Sequence, residues 1–62
     1  MRLKAFIQLY TGMIDDIIQV RFKNDVHRLT VEAWESAGST PLTNRKVISI
    51  NVMNDELHIV VE

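Results

Sequence analysis

Cysteine is absent from this chain, and glycine and proline are scarce, with two glycines and one proline in 62 residues. Without cysteine there is no disulfide framework, no thiolate metal ligand and no cysteine nucleophile. The scarcity of glycine and proline leaves few positions for elaborate turns. A chain without cysteine is compatible with a reducing compartment, and we therefore expect a cytoplasmic protein.

A dominant charge and long hydrophobic runs are missing too. The net charge is −1, so there is no overall attraction to nucleic acid or to an anionic membrane. No apolar stretch approaches the about 20 residues of a membrane span, and the N-terminal segment lacks the core of a signal peptide. With 47% hydrophobic and 24% charged residues, the composition is typical of a globular protein. We expect one soluble domain over residues 1–62.

The small size of the domain bears on its stability. A chain of this length buries only about 60% of the surface that it exposes when unfolded. Small domains of this kind usually gain stability from disulfides, metals or oligomerisation. Because disulfides are excluded and no metal-ligand spacing occurs, we expect oligomerisation to supply the missing stability.

Alternating apolar and polar residues predict four strands. The first covers residues 2–10, with Leu3, Ala5, Ile7 and Leu9 on one face. The second, residues 17–23, would pair with it as a hairpin across residues 11–16. Two further strands, residues 46–53 and 57–61, flank Asn54-Asp55, which predicts a tight turn.

Residues 26–37 fit two periodicities. A strand would place Leu29, Val31 and Ala33 on one face, whereas a helix would align Val26, Leu29, Ala33 and Ala37 in one stripe. The ends favour a helix over about residues 25–37, since Asn24 or Asp25 supplies an N-cap oxygen and Gly38 suits the C-terminal end. Trp34 would then pack at the margin of the buried stripe.

The order of elements predicts an α+β fold. Strand, strand, helix, strand and strand give a two-layer β-β-α-β-β architecture, with a four-stranded antiparallel-type sheet covered on one face by the helix. If residues 26–37 form a strand, five short strands would instead give an all-β, small SH3-like barrel.

No catalytic or metal-binding motif is present. The sequence has no glycine-rich phosphate loop, no nucleophile elbow and no recurring metal-ligand spacing. Its two histidines, His27 and His58, are isolated from each other in sequence. We therefore predict a protein that is not an enzyme, with no catalytic residues, no metal site and no cofactor.

The predicted sheet face opposite the helix is the candidate interaction surface. It would carry more apolar side chains than so small a domain can leave in water. The predicted interface consists of Phe6, Tyr10, Ile17, Val47, Met53 and Val60. This predicts a non-enzymatic protein-interaction module, homodimeric through this face or an edge strand, with an accessory or regulatory role and a second copy or another protein as partner.

The same predicted face suggests an alternative function. Aromatic rings and cations on one sheet face are typical of proteins that bind single-stranded nucleic acid. The predicted nucleic-acid contacts are Arg2, Lys4, Phe6, Tyr10, Arg21 and Lys23. The balanced charge and the lack of a known RNA-binding signature make the interaction module the preferred interpretation.

Overall fold

A computed structural model describes all 62 residues. The chain forms two helices and four strands, in the order α1 (Leu3–Leu9), β1 (Ile17–Phe22), β2 (Asp25–Thr30), α2 (Val31–Ala37), β3 (Val47–Met53) and β4 (Glu56–Val61). The predicted α+β class, the four-stranded sheet and a helical layer on one face are confirmed. The predicted order of elements is wrong, because the chain begins with a helix. The alternative five-stranded barrel is not formed, since the sheet is open.

The sheet is mixed, with the strand order β2-β1-β4-β3. Two antiparallel hairpins, β1–β2 and β3–β4, lie side by side. They join through β1 and β4, which are parallel. The prediction of an antiparallel-type sheet is therefore wrong at its central pair, and β2 and β3 form the two edges.

The first segment of the chain is a helix and not the predicted strand. Leu3, Phe6, Ile7 and Tyr10 follow the i, i+3, i+4, i+7 spacing of a helix face, and Leu3 and Ile7 are buried. The same segment also alternates with period two, so its pattern fits both structures. The helix is favoured because it buries the larger side chains on one side.

Residues 25–37 divide into a strand and a helix. Asp25–Thr30 pairs with β1 across a turn at Lys23 and Asn24. The helix begins only at Val31, where the Thr30 hydroxyl accepts a hydrogen bond from the Ala33 amide at 3.2 Å. The predicted start near residue 25, with Asn24 or Asp25 as the N-cap, is therefore wrong. Pairing with a distant strand decides this segment, and local periodicity does not report it.

The core lies between the sheet and the two helices. Each helix contributes two buried residues to it, and the facing side chains come from β1 and β4. The core residues are Leu3, Ile7, Ile18, Val20, Val31, Trp34, Ile59 and Val61. Burial of each aliphatic side chain contributes about 1.5–3 kcal/mol. We call this face of the sheet the helix side, and the opposite face the outer side.

Trp34 is buried as predicted. Its indole Nε1 donates a hydrogen bond to the Ile18 carbonyl at 2.9 Å. This contact satisfies the only polar group of the side chain, because an indole is a donor only. It also fixes α2 over the start of β1.

The loop before β3 holds the start of α1. No side chain caps this helix, and the amides of Leu3 and Lys4 donate instead to the carbonyls of Arg45 (3.0 Å) and Thr43 (2.8 Å). Arg2 also forms an isolated antiparallel bridge with Lys46. The N-terminal residues are thereby joined to the beginning of β3.

Two positions confirm the predicted chain reversals. Asn54 and Asp55 have positive φ values of 53° and 61°, as a type I′ hairpin turn requires. Gly38 ends α2 with φ 66°, a conformation in which a side chain would be strained. Neither helix is long and apolar enough to cross a membrane.

Candidate interaction surface

The edge strand β3 carries three exposed aliphatic side chains on the helix side, which we call the β3 strip: Ile48, Ile50 and Val52. Their exposed fractions are 56%, 43% and 71%. Ile50 lies opposite the core residue Ile59, and Val52 lies opposite Leu57. The strip therefore continues the core surface to the edge of the sheet, where nothing covers it.

The short helices explain why the strip is uncovered. A seven-residue helix is about 10 Å long, whereas a seven-residue strand is about 23 Å long. Helix α2 packs beside α1 and β2. It therefore lies near the opposite edge of the sheet from β3. The helical layer therefore ends before it reaches the β3 strip.

Backbone groups of β3 are also free along the edge that faces away from β4. Met53 and Glu56 flank a two-residue turn and pair with each other, so their N–H and C=O groups face one another. In an antiparallel ladder this orientation alternates, so the N–H and C=O groups of Ile50 and Val52 point away from β4. The same two residues thus present both free backbone groups and exposed side chains.

The first part of this edge is already occupied. The Val47 amide donates to the Met1 carbonyl at 2.8 Å, and Arg2 lies opposite Lys46. The free edge therefore extends from Ile48 to Met53. An additional strand has room only along this segment.

The two edges of the sheet differ in charge. Edge strand β2 carries Asp25 and Arg28, and charged side chains are a common protection against unwanted strand pairing. Residues 47–53 contain no charged residue and no proline. Of the two edges, only β3 is suited by composition to accept another strand.

A polar cluster occupies the middle of the outer side. Arg28 donates two hydrogen bonds to the Glu56 carboxylate, at 2.6 and 2.8 Å, and a third to Gln19 at 3.0 Å. The hydrogen bond from Arg28 is the main reason why the pKa of Glu56 is lowered, and Glu56 in turn raises the pKa of Arg28. Because Arg28, Glu56 and Gln19 satisfy one another, these three side chains have little need of a partner.

The two histidines lie apart. His27 is exposed on β2. His58 Nε2 is buried without a hydrogen-bond partner, 3.4 Å from the Glu56 carboxylate, and Nδ1 lies 3.4 Å from the Gln19 amide. No group of three or more metal-ligating side chains is present. His58 is thus part of the polar cluster on the outer side.

The structure does not bring the six predicted interface residues onto one face. Phe6 lies on α1 and Tyr10 directly follows its last residue, and both are half-buried against the core with ring centroids 6.4 Å apart. Val47 points to the helix side, opposite Val61, as Ile48 does, because the β3–β4 ladder shifts register between Val47 and Ser49. The remaining three lie on the outer side, and they are Ile17, Met53 and Val60. The predicted placement of Phe6, Tyr10 and Val47 is therefore wrong.

The predicted nucleic-acid contacts are dispersed as well. Arg2 and Lys4 lie at the start of α1, Phe6 in its middle and Tyr10 just past its end. Arg21 instead points to the outer side, and Lys23 lies in the β1–β2 turn. The outer side carries no phenylalanine, tyrosine or tryptophan. A face that combines aromatic stacking with these cations is not formed, because the first segment is a helix on the opposite side of the sheet.

A shallow cavity lies between the two helices. It has a volume of about 270 Å³ with Ile7 and Trp34 in its lining, and Lys4, Gln8 and Glu35 contribute polar groups. Ligand pockets in proteins usually measure about 300–1,000 Å³. The cavity is therefore at the small end for an organic ligand.

The sequence does not predict the β3 strip as an exposed surface. Its three residues form the most apolar face of their strand, and such a face is expected to lie beneath the helix. The strand's lack of any charge or proline was the available signal that it differs from a protected edge.

Comparisons of the chain with protein-family models, curated proteins and solved structures found no match.

Proposed function

We propose that this protein is a non-enzymatic interaction module that binds a second copy of itself through the free edge of β3. The exposed β3 strip beside unpaired backbone groups is the observation that carries this proposal. Strand addition uses both features at once, since main-chain hydrogen bonds give affinity and side chains beside them give specificity.

The energetics favour such pairing. Covering the three partly exposed side chains of the strip stabilises the complex by about 1 kcal/mol each, with main-chain hydrogen bonds in addition. A second copy contributes the same strip, so the apolar area buried is doubled. This gain addresses the limited stability that a chain of this length reaches alone.

The uncharged strand supports self-association in particular. Antiparallel pairing of β3 with its own copy places no like charges opposite each other within residues 47–53. A two-fold axis between the strands would join two four-stranded sheets into one continuous sheet. An accessory or regulatory role in the cytoplasm is the biological setting that we propose for this homodimer.

Sedimentation equilibrium of two matched variants tests the proposal. Val52→Lys places a charge on the β3 strip, whereas Val26→Lys makes the same change at a 52%-exposed valine on the other edge strand. We expect the native protein and Val26→Lys to be dimers at micromolar concentrations and Val52→Lys to be a monomer with an unchanged circular dichroism spectrum. A native protein that stays monomeric, or a dimer that only Val26→Lys dissociates, contradicts the proposal.

A further inference from the structure

The free edge of β3 allows one register of self-pairing better than others. We infer that the two copies pair with Asn51 on the two-fold axis, so that Ile50 of each lies opposite Val52 of the other and Ser49 opposite Met53. This inference rests on the proposed dimerisation and specifies its geometry.

Hydrogen-bond alternation removes half of the possible registers. The outward-pointing backbone groups belong to Ile50 and Val52, so these residues must face each other, or themselves, across the interface. The axis then passes through a residue of β3 and not between two residues. The helix sides of both copies also lie on the same face of the joined sheet, which brings the two β3 strips together.

The N-terminal residues exclude the next register on one side. With Ile50 on the axis, Met53 of the second copy would lie opposite Val47, where the Val47 amide is already bonded to the Met1 carbonyl. Moving the axis by one residue, to Asn51, places that Met53 opposite Ser49, so that the second strand ends before Val47 and only its turn comes level with the N-terminal residues. The Met1–Arg2 segment therefore occupies the edge beyond Ile48 and defines where the second strand ends.

A shift in the other direction shortens the interface. With Val52 on the axis, Ile50 of one copy would lie opposite Asn54, which belongs to the turn and has positive φ. The pairing of Ile50 with Val52 would be lost. Asn51 on the axis is the position that keeps both outward residues of each copy paired without displacing Met1.

Charge at the ends of β3 fits this register. Arg2 and Lys46 lie directly opposite each other, and neither forms a salt bridge with a carboxylate. Like charges facing each other in this way are destabilising. With Asn51 on the axis, the turn of the second copy brings its Asp55 beside this pair of cations, so each end of the interface joins opposite charges.

The side chains of Asn51 also favour this register. Both amides would meet on the outer side at the axis, where an Asn amide has donors and an acceptor to offer its own copy. A polar residue at one defined position of an interface is a known means of fixing register. Asn51 is thus the residue that specifies alignment, and the β3 strip supplies the affinity.

Cysteine cross-linking tests the register, because the native chain has no cysteine. Asn51→Cys places two thiols across the axis, within the Cα separation of about 4.4–6.8 Å that a disulfide allows. Ser49→Cys is the matched control, since it lies two residues away on the same exposed face and its two copies would be ~13 Å apart. We expect mild oxidation to link Asn51→Cys into a covalent dimer at low concentration and to leave Ser49→Cys unlinked.

The outcomes separate the register from the dimer itself. Efficient linkage of Ser49→Cys, or of neither variant in a protein that sedimentation shows to be dimeric, overturns the register but leaves self-association intact. A monomeric native protein overturns the proposed function. As a second readout, Asp55→Asn should weaken the dimer by about two- to five-fold at low salt, with Asp15→Asn as control. Equal affinities for these two variants count against the register.

Discussion

The Tyr10 hydroxyl donates a hydrogen bond to the Asp16 carboxylate at 2.6 Å, and this contact joins the end of α1 to the beginning of β1. The same carboxylate oxygen accepts the Met13 amide at 3.0 Å. One acidic side chain therefore holds together the whole connection between the first helix and the first strand. The hydrogen bond is also the main cause of the raised pKa of Tyr10, with burial and the negative charge of Asp16 adding to it.

The Tyr10–Asp16 contact predicts an alkaline titration that can be followed directly, because the chain has one tyrosine. Tyrosinate absorbance should give a pKa above the usual 10.0, and Asp16→Asn should lower it toward that value. Asp15→Asn, next to it in sequence, should leave it unchanged. An equal Tyr10 pKa in the native protein and Asp16→Asn would show that the contact is not formed.

The sign of the linked stability change follows from the same shift. A pKa of Tyr10 that is higher in the folded than in the unfolded state adds stability that is complete below pH of about 10 and is lost as pH rises through the folded pKa. Urea unfolding at increasing alkaline pH should therefore show a steeper loss of stability for the native protein than for Tyr10→Phe. Parallel curves for the two proteins would argue against it.

Gly12 is required by the close approach of Tyr10. A Cβ at Gly12 would lie 2.3 Å from the Tyr10 hydroxyl oxygen, so Gly12→Ala must push the flexible ring aside and break its bond to Asp16. We expect a loss of about 1 kcal/mol in the free energy of unfolding and a Tyr10 pKa near its ordinary value. Thr11→Ala is the neighbouring control. An undisturbed tyrosine titration in Gly12→Ala contradicts this account.

Removal of the indole N–H should destabilise the core. Trp34→Phe leaves the Ile18 carbonyl without its donor and reduces the buried volume, so we expect a cost of at least about 1–3 kcal/mol. In a domain of this size that cost lowers Tm by at least about 4 °C. Thermal unfolding by circular dichroism measures it, with exposed Ser36→Ala on the same helix as control. Similar Tm values for both variants would refute the role of this hydrogen bond.

The Arg28–Glu56 pair predicts a response to acid. Because the pKa of Glu56 is lowered in the folded state from its usual 4.5, its contribution to stability is present above that value and is lost as pH falls through the folded pKa. Arg28→Met should raise the Glu56 pKa, as followed by carboxyl chemical shifts in an NMR titration. Arg21→Met removes an unpaired cation from the same outer side and should leave it unchanged. A Glu56 pKa that is insensitive to Arg28→Met contradicts the prediction.

The second hairpin shows how far local sequence can lead. Its strands were predicted within one residue, because β-branched residues alternate with polar ones and Asn54-Asp55 suits a turn with two positive φ values. The end of α2 at Gly38 was equally accessible from local chemistry. In these segments, short-range preferences and the final structure agree.

In the first segment and in residues 25–30, local periodicity predicts the wrong secondary structure. Residues 2–10 satisfy the periods of both a strand and a helix, and residues 25–30 contain a helical stripe although they form a strand. Assignment of the first segment to a strand also transferred Phe6 and Tyr10 to the wrong side of the sheet, and with them the predicted interface. Neither error could be corrected without knowing which strands become neighbours.

The sequence by itself determined the α+β class, the β3–β4 hairpin, the burial of Trp34 and the absence of disulfides, because each depends on composition or on residues close together in the chain. Only the tertiary structure decided that β1 pairs with β4 in parallel, that two short helices cover part of the sheet, and that β3 is left as an open apolar edge. Those features depend on contacts between distant residues, whose free energy outweighs local preference. The candidate interaction surface is a product of that second kind of information.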